Sequence, residues 1–174
     1  MLGIFVMVAL GPHIEPALAT VIPSFTLPGL VTRADIVAVA TVTDLKASRS
    51  GPNHFIYTDY TLQTEAIWLA RGSARKLKAG EPMLLRQIGG VLADAEQTVV
   101  GTADLRRGDR IVIIARFIDG RAYLVGMGQG ARYVSDSSVR VSRPGRAHPT
   151  RKAPAPTLEQ FRQRVRSVLE EAGQ

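Results

Sequence analysis

The stretch RIVIIARFIDGRAYLVGM, residues 110–127, decides the fold class. From Arg110 to Phe117 it is the most hydrophobic run behind the N-terminal segment, and its β-branched content predicts a strand. Asp119-Gly120 follows, the strongest short hairpin signal in the chain, because both turn positions accept positive φ. Arg121 to Met127 then reads as the returning partner strand, ended by Gly126, Gly128 and Gly130. Ala131 to Val134 adds a last short strand.

The residues upstream carry the same signature. Asp35 to Thr43 is apolar on both faces and rich in β-branched residues, which predicts a central strand. Ser48 to Asn53 has turn chemistry. A long strand is expected from Phe55 to Trp68, with Ile56, Thr58, Tyr60, Leu62, Thr64, Ala66 and Trp68 on the more apolar face. Asp59, Thr61, Gln63 and Glu65 alternate with them and suit solvent, and Asp59 is also placed to pair with an arginine across the sheet. A strand this long bends or coils, as strands of small barrels do. A basic loop spans Arg71 to Glu81, and Met83 to Ile88 forms a third strand stopped by Gly89-Gly90. Glu96 to Val100 is a candidate short strand, and Leu105 to Asp109 a turn.

At the C-terminus the period changes. Thr157 and Gln160 have the spacing of a capping box, and Leu158, Phe161, Val165, Val168 and Leu169 form a helical apolar stripe. The expected architecture is all-β: an OB-like, five-stranded, partly open barrel with one C-terminal amphipathic helix docked on it. The expected boundaries are a signal segment over 1–19, the barrel over 20–136, a basic Pro-rich linker over 137–156 and the helix over 157–171. In the linker, Arg140, Arg143, Arg146, Arg151 and Lys152 supply five of the seven excess positive charges. They read either as a solvated tether or as a patch for an anionic surface.

Residues 1–10 are apolar apart from Gly3. That run is too short to cross a bilayer, which takes about 20 residues, and fits the core of a secretory signal. Ala17-Leu18-Ala19 offers a cleavage point before Thr20. The other reading is a buried N-terminal element. Export places the mature chain outside the cytoplasm, in the periplasm, at the cell surface or in the medium. The chain has no cysteine, so a disulfide framework and thiolate metal sites are excluded. The apolar fraction of 45% supports a real core, built mainly from Val, Ile, Leu and Ala because aromatics are 6%.

Arg33-Ala34-Asp35 leading into the apolar strand through Val42 resembles the opening strand of netrin-like modules. The long strand ending near Trp68, with Arg71-Gly72 after it, resembles their second strand and its exit. Arg107 to Ile113 resembles their late Gly-charged-apolar strand. The Tyr57 to Thr61 run and Gln87-Ile88-Gly89-Gly90 are closer to a group of small exported bacterial proteins of unassigned function. The resemblance covers residues 30–130 and implies an OB-type barrel. Tissue inhibitors of metalloproteinases share that fold class and reach the protease zinc through an N-terminal cysteine. This chain has none, so that contact does not carry over; cleavage after Ala19 would instead give Thr20 a free α-amine, which can ligate zinc.

Catalytic chemistry is not prominent. His13, His54 and His148 fall in the signal segment, a turn and the linker, which is not the convergence a zinc site needs. Asp94 and Glu96, with Asp104 and Asp109 flanking a nearby turn, are the carboxylates to test for acid–base work or calcium, and a hydrolase reading would need a pocket lined by Asp94, Glu96 or Asp104. Ser135, Ser137 and Ser138 lack a nucleophile elbow and a base. The Gly126–Gly130 alternation lacks the spacing and setting of a dinucleotide loop. No cofactor is expected. For single-stranded nucleic acid, Tyr57 is the one aromatic on the solvent face of its strand, while Tyr60 and Trp68 read as core. The reading is a non-enzymatic exported module that binds a protein or envelope partner, with a proteinase-inhibitor-like role as one version. Thr20, Val21, Arg71, Gly89 and Gly90 are its candidate contact residues. An OB-type single-strand binder is the alternative.

Overall fold

The computed structural model describes residues 23–51, 54–135, 138–141 and 154–173. The strands are β1 (Ile36–Ser50), β2 (Phe55–Ala70), β3 (Pro82–Ile88), β4 (Gly90–Val91), β5 (Glu96–Gln97), β6 (Arg110–Ile118), β7 (Arg121–Leu124), β8 (Ala131–Ser135) and β9 (Ser138–Arg140). Two helices flank them, α1 (Leu27–Val31) and α2 (Leu158–Glu171). Seven strands form one sheet in the order β1-β2-β3-β7-β6-β8-β9, and β6 also pairs with β1. Five strands, β1, β2, β3, β7 and β6, therefore make a closed ring of hydrogen-bonded neighbours. All pairings in that ring are antiparallel except β3 with β7.

The hydrophobic run of β6 has a direct cause. Ala115 pairs with Ile36 on one edge and Leu124 on the other, and Ile111 pairs with Ala40 and Tyr133. Both edges are therefore occupied, and both faces are covered, so Ile111 to Ala115 are all buried. The turn to β7 is the expected two-residue one, with Asp119 at φ 48° and Gly120 at φ 77°. β7 ends at Leu124, earlier than the sequence suggests, because Gly126 takes the left-handed conformation and a short 3-10 turn follows over Met127–Gly130.

The two faces of β1 and β6 feed two cores. Ile36, Ala38, Ala40 and Val42 meet Ile111, Ile113, Leu62 and Leu85 inside the ring. Val37, Val39, Val112 and Ile114 point outward and are covered by Leu30 and Val31 of α1 and by Phe161, Val165 and Val168 of α2. Fully burying side chains of this size contributes about 1.5–3 kcal/mol each, so α2 is held by its apolar stripe. Its start is fixed by the capping box: Gln160 N donates to Thr157 Oγ1 at 3.1 Å and Thr157 N donates to Gln160 Oε1 at 3.0 Å.

Four features differ from the sequence expectation. The first strand runs on to Ser50 and the second to Ala70. Pairing shifts leave Thr43, Glu65 and Trp68 without opposite partners. Bulges at Glu65 and Trp68 reverse the alternation of β2, because one extra residue exchanges the faces. Thr64 stays on the inner side, but Ala66, Trp68 and Leu69 turn to the helix-covered core. Helix α1 was not expected; Thr26 caps it by accepting from Gly29 N at 3.3 Å. Strand β9 occupies residues 138–140, inside the stretch read as linker, and bridges to Thr157. No helix among the described residues is long and apolar enough to cross a membrane.

Candidate functional site

Of the residues singled out from sequence, the described ones do not converge: Arg71 and the Gly89-Gly90 pair lie at opposite ends of β2. Thr20 and Val21 lie outside the described residues, as do Arg143, Arg146, Arg151 and Lys152; Arg140 is exposed at the end of β9. Arg71 follows the C-terminal end of β2, where its Nη1 donates to the carbonyls of Thr32 and Ala34 at 3.4 and 3.3 Å. It pins the α1–β1 connection to the β2 exit. Gly89 and Gly90 sit at the other end of β2, with Gly89 N donating to Ile56 O at 2.7 Å.

Gly90 has a packing reason to be glycine. Its φ is 151°, and a Cβ there would overlap Thr58 Oγ1 and lie 3.3 Å from both Ala47 Cβ and Ile56 Cγ2. The buried Thr58 hydroxyl donates to Gly89 O at 2.7 Å. The excursion from 89 to 105 is held by further bonds of this kind. Ile56 N donates to Gln97 Oε1 at 2.8 Å, Ala103 N to Gln87 Oε1 at 2.9 Å, and the Tyr133 hydroxyl to Asp104 O at 2.7 Å.

The carboxylates of the excursion are held apart by separate partners. Asp94 pairs with Arg49 at 3.0 Å, Asp104 with Arg106 at 3.3 Å, and Glu96 accepts from the Thr98 hydroxyl at 3.2 Å. The hydrogen bond from Arg49 holds the Asp94 carboxyl below its usual range. A general acid needs its pKa near the working pH, so this shift runs against acid–base use. No three His, Cys, Asp or Glu side chains converge on a common point among the described residues. His54 is exposed in the β1–β2 turn, and Trp68 packs on Phe161 with ring centroids 6.4 Å apart.

A different surface gathers interaction chemistry. The helices cover the outer side of β1, β6 and the C-terminal end of β2, whereas among the described residues no helix covers the outer side of β3, β7 and the N-terminal half of β2. Register lays side chains there in rows. Asp59 lies opposite Arg86, and Tyr123 opposite Arg116. In the next row Thr61 lies opposite Leu84, Leu84 beside Arg121, and Arg121 opposite Ile118. Arg86 binds Asp59 bidentately, Nε to Oδ1 at 2.6 Å and Nη2 to Oδ2 at 2.5 Å. Those hydrogen bonds hold the Asp59 carboxyl below its usual range and push Arg86 up. The Arg86 guanidinium also lies over the Tyr57 ring, 5.5 Å from its centroid, and within electrostatic reach of Tyr123.

Two further arginines are not neutralised in this way. Arg116 is exposed and forms no ion pair among the described residues. Arg121 lies within electrostatic reach of Asp59, and its Nε is buried with no hydrogen-bond acceptor among the described residues. Leu84 and Ile118, next to Arg121 in register, are 38% and 42% exposed. The surface thus combines two tyrosines, three arginines, one aspartate and two exposed aliphatics. Sequence reading singles out Tyr57 and allows Asp59 an arginine across the sheet, but Arg86 as that arginine and the remaining residues assemble only through pairing across four strands.

No family model matches this chain, and no curated protein matches it.

Proposed function

We propose that this chain is an exported, non-enzymatic OB-type module that binds a protein or envelope partner through the outer surface of β2, β3 and β7. The one-sided cover of the strand ring carries this reading. One flank is sealed by two helices, and the other presents Tyr57, Tyr123, Arg86, Arg116 and Arg121 beside exposed Leu84 and Ile118. Tyrosine and arginine are the residue types enriched where proteins meet. A ring of five strands in the order β1-β2-β3-β7-β6 is consistent with an OB-type barrel, and the 1–19 segment with export.

A second reading rests on Tyr57 and Tyr123 beside the arginines: binding of single-stranded nucleic acid, which uses aromatic stacking next to basic residues. Affinity capture from the native host separates the readings. Wild-type protein should retain a partner outside the cytoplasm. Arg116→Glu/Arg121→Glu should lose it, and Arg166→Glu on the exposed side of α2 should keep it. Equal retention by all three proteins contradicts the assignment of the surface. Recovery of nucleic acid from a full-length, cytoplasmic chain supports the second reading.

A further inference from the structure

We infer that the β2–β3–β7 surface takes a segment of a partner protein that carries acidic and apolar side chains together. The inference rests on the function proposed above and names the chemistry of its partner. Charge gives the first half. Along its paired strands the surface holds three arginines against one aspartate, with Asp119 exposed at the turn beside Ile118 and Arg121, and only Arg86 is matched by an aspartate with hydrogen bonds. Arg116 is exposed, Arg121 is half-buried, and neither forms an ion pair among the described residues, so both are left to attract carboxylates. A guanidinium presents a planar fork that suits a carboxylate.

Apolar exposure gives the second half. Leu84 and Ile118 lie in the same row as Arg121, one on each side, so a chain that pairs with Arg121 must also cover both aliphatics. Acidic groups alone leave them wet. The row crosses four strands, roughly 15 Å at about 4.8 Å per strand, which matches a short segment rather than a large globular face. Nucleic acid fits less well. Base stacking needs open ring faces, and Arg86 already covers a face of Tyr57. Phosphates would satisfy Arg116 and Arg121 but would place charge against Leu84 and Ile118.

The test is fluorescence anisotropy with the full chain and three labelled probes: a peptide of interleaved Glu and Leu/Val residues, a polyglutamate of equal charge, and a twelve-nucleotide oligo-dT. The mixed peptide should bind tightest. Arg116→Glu/Arg121→Glu should weaken it by about tenfold or more, and Leu84→Ser/Ile118→Ser by roughly three- to tenfold. Arg116→Lys/Arg121→Lys should lose less than the Glu pair. Thermal melts of each variant confirm folding. Oligo-dT binding tighter than the peptide, with a steep salt dependence and the same arginine sensitivity, overturns the peptide inference and leaves the surface assignment standing. Equal binding of polyglutamate and mixed peptide, indifferent to Leu84→Ser/Ile118→Ser, reduces the site to a plain basic patch. Peptide binding indifferent to every variant moves the site elsewhere. Failure of all three probes overturns the inference, while host capture still tests partner binding itself.

Discussion

Replacing Gly90 with alanine tests whether the glycine pair after β3 is there for packing. The new Cβ would overlap Thr58 Oγ1 and press within 3.3 Å of Ala47 Cβ and Ile56 Cγ2. Thr58 cannot rotate away freely. It is 4% exposed, and its hydroxyl donates to Gly89 O at 2.7 Å. Overpacking of this kind costs about 1–3 kcal/mol. Holding a non-glycine residue at a φ of 151° adds about 1–3 kcal/mol more. The expected loss is therefore about 2–6 kcal/mol, which in a domain of this size lowers Tm by roughly 5–20 °C. The melt is followed by circular dichroism. Thr58→Ala alone should also destabilise, because it leaves the Gly89 carbonyl without its buried donor. In the double variant the overlapping oxygen is gone, so the combined loss should fall short of the sum by about 1–2 kcal/mol. A Gly90→Ala protein that melts within a degree of wild type, or strict additivity in the cycle, would refute the packing account.

Three other outcomes are expected. Asp59→Asn should cost about 1–2 kcal/mol, because it removes a half-buried bidentate ion pair. Hydrogen bonds from Arg86 depress the Asp59 pKa in the folded state, so its contribution is full above the ordinary value of 3.8 and is lost as pH falls through the lower folded value. Melts from pH 7 to 2 should show the gap between wild type and variant closing in that acid range, and a constant gap counts against the pair. Phe161→Ala should cost about 3–5 kcal/mol and shift the emission of the single tryptophan, Trp68, toward that of an exposed indole, since the two rings pack together; unchanged emission would mean that α2 does not dock there. Arg116→Glu should leave the stability within about 0.5 kcal/mol of wild type, as expected for an exposed side chain without an ion pair among the described residues, and a large drop in the melt would give Arg116 a structural role instead.

Much of the scaffold is legible in the sequence because its signals are local. The apolar run of β6, the Asp119-Gly120 turn and the Thr157/Gln160 capping box each depend on neighbours a few residues away. What escapes sequence reading depends on distant partners. Bulges at Glu65 and Trp68 arise from pairing with β1, so simple alternation sends Ala66 and Trp68 to the wrong core. Helix α1 has five residues, too few to show a period, and Pro28 at its start reads as a breaker. The binding surface is the least legible element. Tyr57 and Asp59 come from β2, Arg86 from β3, and Tyr123 and Arg116 from the β6–β7 hairpin, and only the parallel β3–β7 pairing joins them. Arg71 and Gly90 stand out in sequence for a different reason: each makes a backbone approach possible or permanent at an end of β2.

Whether a partner sits on the open flank of the strand ring is read out by site-specific photo-crosslinking in the native host. A benzophenone side chain is placed at Leu84, Ile118 or Tyr123 on the open flank, or at Arg166 on α2. One common adduct should form from the first three positions, absent from Arg166 and lost when Arg116→Glu/Arg121→Glu is added, if the partner sits on this flank. Adducts that form equally from Arg166, or that survive the arginine changes, would contradict it.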